Sequence, residues 1–251
     1  MDQITSIATT SDETLVTRGF LAGRGRDRLS GDDRLALDQA VVDIKQLPAR
    51  RTLVRAGDVV EQSTMLLEGF MCRYMDDRDG FRQLVAVHVP GDFVDLHAFP
   101  MRRLDHDVAT LSACTVAVVP HEALSDITNE RPALTRALWF STLLDAAMHR
   151  EWIFRLGRLG AEGRLAHFFM ETATRMRMVG LVENDRFHLP LTQADIAEAC
   201  GLTGVHVNRT LRSLREQELM TFSHGEVKIL DPKRMTAIGE FEPAYLYGDP
   251  R

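Results

Sequence analysis

Val205, Asn208, Arg209 and Arg212 recur at i, i+3, i+4 and i+7, so they share one face of a helix. Val207, Leu211 and Leu214 share the opposite face. The chemistry open to the first face is base reading. Arginine can donate two parallel hydrogen bonds to guanine O6 and N7, and asparagine can read adenine or bind phosphate. Arg209, Arg212 and Arg215 form a basic stripe with no acid before Glu216. Thr203 can cap the helix, and the N–H groups at that end suit a phosphate. The candidate DNA-contacting set is Thr192, Thr203, Gly204, Val205, His206, Asn208, Arg209 and Arg212.

Such a helix needs a second one to hold it. Thr192 predicts a cap, with Asp195 three residues on, a near-relative of the capping box. Ile196, Ala197, Ala199 and Cys200 predict a short helix that Gly201 ends. At Ala197 two helices cross closely, so a large side chain would clash. Gly201 takes a turn where positive φ is cheap only for glycine. Val207 locks the second helix onto the first. This spacing predicts a helix-turn-helix. A structural helix pair with no DNA role is the alternative, and the basic outer face argues against it. Met220–Phe222 and Val227–Ile229 predict a hairpin wing, with Lys228 and His224 within reach of phosphates. For His224 a solvated turn is the preferred reading.

Other reactive side chains are dispersed. Cys72, Cys114 and Cys200 form no CxxC pair and fit a reduced, cytoplasmic chain. His88, His97, His106 and His121 lack tight ligand spacing, so no metal and no cofactor are expected. A cupin-like metal enzyme would need His-x-His followed by glutamate, which neither His88 nor His97 has. No catalytic residue is assigned, and the chain is not read as an enzyme. Its 251 residues are 45% hydrophobic and 26% charged, an ordinary globular composition. The first residues show no basic, apolar stretch, so no leader is expected, and no apolar run reaches the roughly 18 residues of a membrane span. The net charge of −6 does not bar a site-specific DNA binder, whose basic surface can be local.

Residues 1–29 read as a mobile arm or short docking helix. Ser30 starts a helix whose apolar spacing runs through Leu35, Leu37, Ala40, Val41 and Ile44. Short apolar runs between turn residues follow: 52–54, 65–67, 70–74, 81–89 and 108–119. They predict a small antiparallel barrel or sandwich over 30–131. A long helix runs from about Ala133 to Leu156 and is apolar on more than one side, so it needs a second cover. A second copy of the same helix is the economical answer, with Leu138, Ser141, Asp145, Met148 and Trp152 as the candidate dimer interface. A central helix in a larger monomeric core is the alternative. The boundaries read as 132–158 for helix and hinge, 159–235 for the winged helix-turn-helix and 236–251 for a tail. Gly157 and Gly160 mark the hinge, and another helix spans about Ala161 to Met178.

Taken together, the order resembles the Crp-Fnr superfamily of bacterial transcription regulators. The resemblance rests on Pro90-Gly91-Asp92-Phe93-Val94, Gly163-Arg164-Leu165-Ala166, Leu191 through Ala197, Gly201-Leu202-Thr203 and Val207 through Leu211. It implies an α+β architecture: an N-terminal cyclic-nucleotide-binding-like β-roll, a long dimerisation helix and a C-terminal winged helix-turn-helix. It further implies a parallel homodimer on double-stranded DNA, reading a roughly palindromic operator, with RNA polymerase as a partner and a small-molecule effector in the roll. Arg209 falls on the family's DNA-reading arginine. Where the family often has glutamate this chain has Val205, which could contact a thymine methyl. The cyclic-phosphate cassette departs further. Its Gly-Glu pair aligns to Asp95-Leu96, its Arg-Ser pair falls near Leu104-Asp105, and Asp92, Asp95, Asp105 and Asp107 would repel a phosphate. Asp95, Leu96, Arg102, Arg103 and Trp152 mark the candidate effector pocket of a shifted cassette. Iron–sulfur members carry N-terminal cysteines, and residues 1–71 contain none. A regulator with a degenerate, ligand-free sensor is the rival reading.

Overall fold

Runs rich in β-branched residues between turn residues become strands. The computed structural model, which describes residues 12–249, closes them into two antiparallel sheets. The chain runs through α1 (Gly31–Gln39), β1 (Asp43–Leu47), β2 (Thr52–Val54), β3 (Gln62–Glu68), β4 (Met71–Asp76), β5 (Arg82–His88), α2 (Ala98–Met101), β6 (Asp107–Thr110) and β7 (Cys114–Pro120). Strands β1-β7-β3 form one sheet and β2-β6-β4-β5 the other. Leu66, Met71, Val94, Leu104, Val108 and Val116 fill the space between them. The expected barrel-like unit is therefore a two-sheet roll.

Three local readings are corrected here. The helix begun at Ser30 ends at Gln39, and Ile44 lies in β1. The β-branched run Val41-Val42-Asp43-Ile44 favours an extended chain, and β7 supplies its backbone partners from Asp43↔Val118 to Leu47↔Cys114. The 108–119 run is two strands, β6 and β7, broken at residues 111–113. Residues 12–29 are no loose arm: they wind in 3-10 turns over the roll, where Phe20 is buried edge-on against Phe93. Gly91, at φ +95°, allows that approach, since a Cβ there would lie 2.3 Å from the Gly19 carbonyl oxygen. The rest of the arm, including Thr9–Ser11, lies outside the described residues.

Past the roll come α3 (His121–Glu130), α4 (Pro132–Arg158), α5 (Ala161–Met178), β8 (Arg186–His188), α6 (Gln193–Cys200), α7 (Gly204–Glu216), β9 (Met220–Ser223), β10 (Glu226–Ile229) and α8 (Pro232–Ile238). Helix α5 has the span read from its period. Strand β8 joins the wing as a third strand, in the order β8-β10-β9. Gly157 is helical, and the break falls at Leu159 and Gly160. The tail is ordered too: α8 and a 3-10 turn at Pro243–Leu246 pack on α5.

On α4 the residues expected at the dimer interface lie on the side that faces their own chain. Leu138 and Trp152 are buried in their own chain, Met148 packs on the cluster that holds Trp152, and Asp145 accepts from Arg73 Nη1 at 2.6 Å. Ser141 sits on that side and lines a small cavity with Asp145 and Met148. The residues left outside include one stripe of Arg136, Trp139, Leu143, Ala146, Arg150 and Ile153, with Trp139 65%, Leu143 54% and Ile153 72% exposed. They recur every three or four residues, the spacing of a two-helix seam. Apolar residues surround this helix almost evenly, so its period alone could not tell which stripe the roll would take.

Candidate nucleic-acid interface

The first helix of the pair is capped as read. Thr192 Oγ1 accepts from the Asp195 N–H, and the Asp195 carboxylate accepts from the Thr192 N–H at 2.7 Å, a reciprocal capping box. Gly201 ends α6 at φ +59°. Thr203 caps α7 by accepting from the His206 N–H. Ile196, Ala197, Val207 and Leu214 are buried together, with Leu211 packed beside them.

On the outer side of α7, Gly204, Val205, His206, Asn208, Arg209, Arg212 and Arg215 are exposed, as are the two capping threonines. The whole candidate DNA-contacting set is thus exposed, and the Asn208–Gln193 contact sets the start of α6 beside α7. Besides the capping threonines and His206, two members of the set are engaged within the chain. Asn208 Nδ2 donates to Gln193 Oε1 at 3.3 Å, and Arg212 Nε donates to Glu216 Oε1 at 2.7 Å. Among the described residues Arg209 and Arg215 form no ion pair within 4 Å, so Arg209 keeps its guanidinium free on the exposed face. In the wing, His224 tops the turn at φ +52° beside Ser223, and Lys228 lies on β10.

The candidate effector residues differ in burial and in partners. Asp95 and Leu96 are buried in the roll. The Asp95 carboxylate accepts from the Thr64 N–H at 2.6 Å, and burial pushes its pKa up to about 7. Arg102 and Arg103 stand exposed, the latter donating to the Gly57 carbonyl. Trp152 lies at the α4–α5 junction and donates to Glu171 Oε1 at 3.1 Å. Folding spends two of these side chains on the roll core and one on the hinge, so no shifted cassette is assembled. Asp92 is spent as well: it accepts from the Val89 N–H and from Arg175 of α5. Burial works against its ionised form, but the Arg175 charge holds the carboxyl well below the usual range.

The histidines form no metal cage, and no group of three or more metal-capable side chains occurs among the described residues. Burial pushes His88 down to about 4 and His97 to about 3, so both rings are neutral at pH 7. The three cysteines are buried, and burial pushes the Cys72 thiol up to about 12 and the Cys200 thiol to about 11. No helix among the described residues is long and apolar enough to cross a membrane.

The sequence pattern missed a polar network that joins the roll to this interface. Glu171, 1% exposed, accepts from Trp152 and from the Tyr245 hydroxyl at 2.7 Å, and lies 3.5 Å from Arg175. Arg155, fully buried near the end of α4, stacks over the Trp152 ring and donates to the Ala199 carbonyl of α6. Arg50, in the turn between β1 and β2, pairs with both oxygens of Asp195. Gln83 of β5 donates to the Glu198 carbonyl. Apart from the Glu171–Arg175 pair and the stacking of Arg155 on Trp152, these partners lie 19 to 145 residues apart, so no local spacing could have announced them.

Comparison with known proteins places this geometry. Residues 163–238 match the model of the Crp-like helix-turn-helix domain, and residues 44–131 match that of the cyclic nucleotide-binding domain. The nitrogen fixation regulation protein FixK of Bradyrhizobium diazoefficiens is 29% identical over 74% of this chain and 78% of its own. The fumarate and nitrate reduction regulatory protein of Vibrio cholerae is 26% identical over 78% of each. Among solved structures, FixK2 from Bradyrhizobium japonicum superposes with a TM-score of 0.72 at 22% identity, over 78% of this chain and 96% of that one. The Thermus thermophilus regulator TTHB099 does so at 0.64 and 16% identity, over 78% and 97%.

Proposed function

The chain belongs to the Crp-Fnr superfamily of DNA-binding transcription regulators, and from that premise we propose that it works as a homodimer on a roughly two-fold symmetric operator. Helix α7 enters the major groove, Arg209 reads a base edge, and the Thr203 end and the wing hold phosphates. Two such helices, related by the dimer axis, sit about one DNA turn apart, ~34–36 Å. The observation that carries this reading is the outer face of α7, where a free arginine and an exposed valine project from a helix whose inner face is wholly committed to the core. The dimer forms through the exposed stripe of α4. Trp139, Leu143 and Ile153 stand exposed there on one stripe, and a second copy covers them with matching groups.

The roll of this chain does not take a cyclic nucleotide at the family's usual cassette. In support, Asp95 and Leu96 are sealed in the core, and the Asp92 carboxylate is bound by Arg175. RNA polymerase and a different effector are further partners consistent with this reading.

Selection of bound DNA from a random duplex pool tests the function, with Arg209→Ala as the control. Recovery of a two-fold symmetric consensus is expected. Arg209→Ala should weaken binding by ~1–3 kcal/mol per half-site and relax the base preference there. A pool that stays random, or unchanged specificity in the variant, overturns the assignment. Adding cyclic nucleotides at micromolar concentration should leave operator affinity unmoved.

A further inference from the structure

Helix α6 is gripped at both ends by groups from outside the helix-turn-helix. At its N-terminus, Arg50 of the roll donates two hydrogen bonds to Asp195, and the bond to Oδ2 measures 2.6 Å. At its C-terminus, Gln83 of the roll donates to the Glu198 carbonyl, and Arg155 of α4 donates to the Ala199 carbonyl at 2.9 Å. Between these ends β5 packs along α6, and Leu84 shares one buried cluster with Ile196, Ala199 and Cys200. Because α7 is locked on α6 through Val207, the roll reaches the DNA-reading helix in a single step. Arg50 makes its contact from φ +64°, a conformation uncommon outside glycine, so the turn is held in a particular shape.

Asp195 serves two tasks that can be separated. Its Oδ2 accepts from the Thr192 N–H, which completes the cap, while its charge and both its oxygens answer Arg50. Burial alone would raise the Asp195 pKa; the Arg50 and Thr192 hydrogen bonds bring it below the usual carboxylate range. Asparagine at 195 would keep an acceptor for Thr192 and lose the charge that answers Arg50.

We propose that Arg50 and Gln83 are positioning residues for DNA recognition: through Asp195 and the Glu198 carbonyl, the β-roll holds α6, and with it α7, in the orientation that fits the operator. The proposal rests on the reading of α7 as the DNA-contacting helix. It makes the roll part of the reader, so a change in the β1–β2 turn or in β5 is felt by α7 without passing through the break at Leu159 and Gly160.

The test uses the full chain and a duplex carrying the selected operator, followed by fluorescence anisotropy over a range of salt. Arg50→Ala and Asp195→Asn should each weaken operator binding about 10-fold, since a smaller fraction of molecules then holds the competent orientation. The double variant should bind no worse than either single one. Binding to a scrambled duplex and the slope of affinity against salt should stay unchanged. Gln83→Ala, which touches no charge and leaves the Thr192 cap intact, should weaken operator binding in the same sense. Thermal melting of each variant separates loss of fold from loss of orientation. Operator affinity of Arg50→Ala within twofold of the parent overturns the proposal. So does tighter binding by Asp195→Asn with a steeper salt slope, because Arg50 would then be a phosphate contact that Asp195 restrains. If Arg209→Ala leaves operator binding unchanged, the DNA-reading assignment fails instead, whatever Arg50→Ala does.

Discussion

Replacing Ile153 by alanine should dissociate the dimer while leaving the protomer folded. Ile153 is 72% exposed on the outer stripe of α4 and touches no core cluster of its own chain. The change removes three carbons, worth ~2.4 kcal/mol at about 0.8 kcal/mol per buried CH2. Scaled by the surface open in the protomer, that is about 1.7 kcal/mol per copy and about 3.5 kcal/mol for the symmetric pair. At 1.4 kcal/mol per decade, the dimer dissociation constant should rise roughly 300-fold. Sedimentation equilibrium measures it directly, and thermal melting of the dilute, dissociated protein should change little. The contrasting variant is Leu138→Ala. Leu138 is buried between α4 and the roll, so this change should cost about 2–5 kcal/mol of protomer stability instead. A dimer constant that Ile153→Ala leaves within threefold, or a Leu138→Ala protein that dissociates with its melting temperature intact, would refute the assignment of the two faces.

Three further outcomes follow from buried polar groups. Glu171→Ala strands the Trp152 and Tyr245 donors and leaves Arg175 with one carboxylate fewer, so urea denaturation should register a loss of about 3–5 kcal/mol, and Glu171→Gln a smaller one. The folded chain binds the Asp95 proton more tightly than the unfolded chain does. This group therefore favours folding fully below its unfolded pKa of 3.8, and the contribution is lost as pH rises through about 7. Asp95→Asn should then flatten the fall in stability between pH 5 and pH 8 by roughly 2–3 kcal/mol, and parallel pH profiles for the two proteins would contradict this. Finally, burial keeps all three cysteines as inaccessible thiols, so a thiol reagent at pH 8 should label the native protein slowly and the urea-unfolded protein at once.

The helix-turn-helix was legible because every signal that builds it is local. The caps at Thr192 and Thr203, the turn at Gly201 and the buried stripe of α7 all act within about 20 residues, and each appears where its chemistry calls for it. The Ala161–Met178 helix was legible for the same reason: its ends carry glycine signals and its apolar side repeats with the helical period. Where a segment satisfies two patterns, local reading errs. The residues around Ile44 fit a helix by spacing and a strand by β-branching, and β7 decided between them.

The order of units, the reading helix and its exposed basic face follow from the amino-acid sequence by itself, since periodicity and capping depend on neighbours along the chain. Tertiary structure alone decided three things. It chose which stripe of α4 the roll covers, and so which residues are left for a partner. It dispersed Asp95, Leu96, Arg102, Arg103 and Trp152, because burial of some and exposure of others depend on how the sheets close. It also brought Arg50 to Asp195 and Gln83 to Glu198 across more than a hundred residues. Ion pairs and hydrogen bonds of that kind are formed by proximity in space, and no residue type or interval in the chain encodes them.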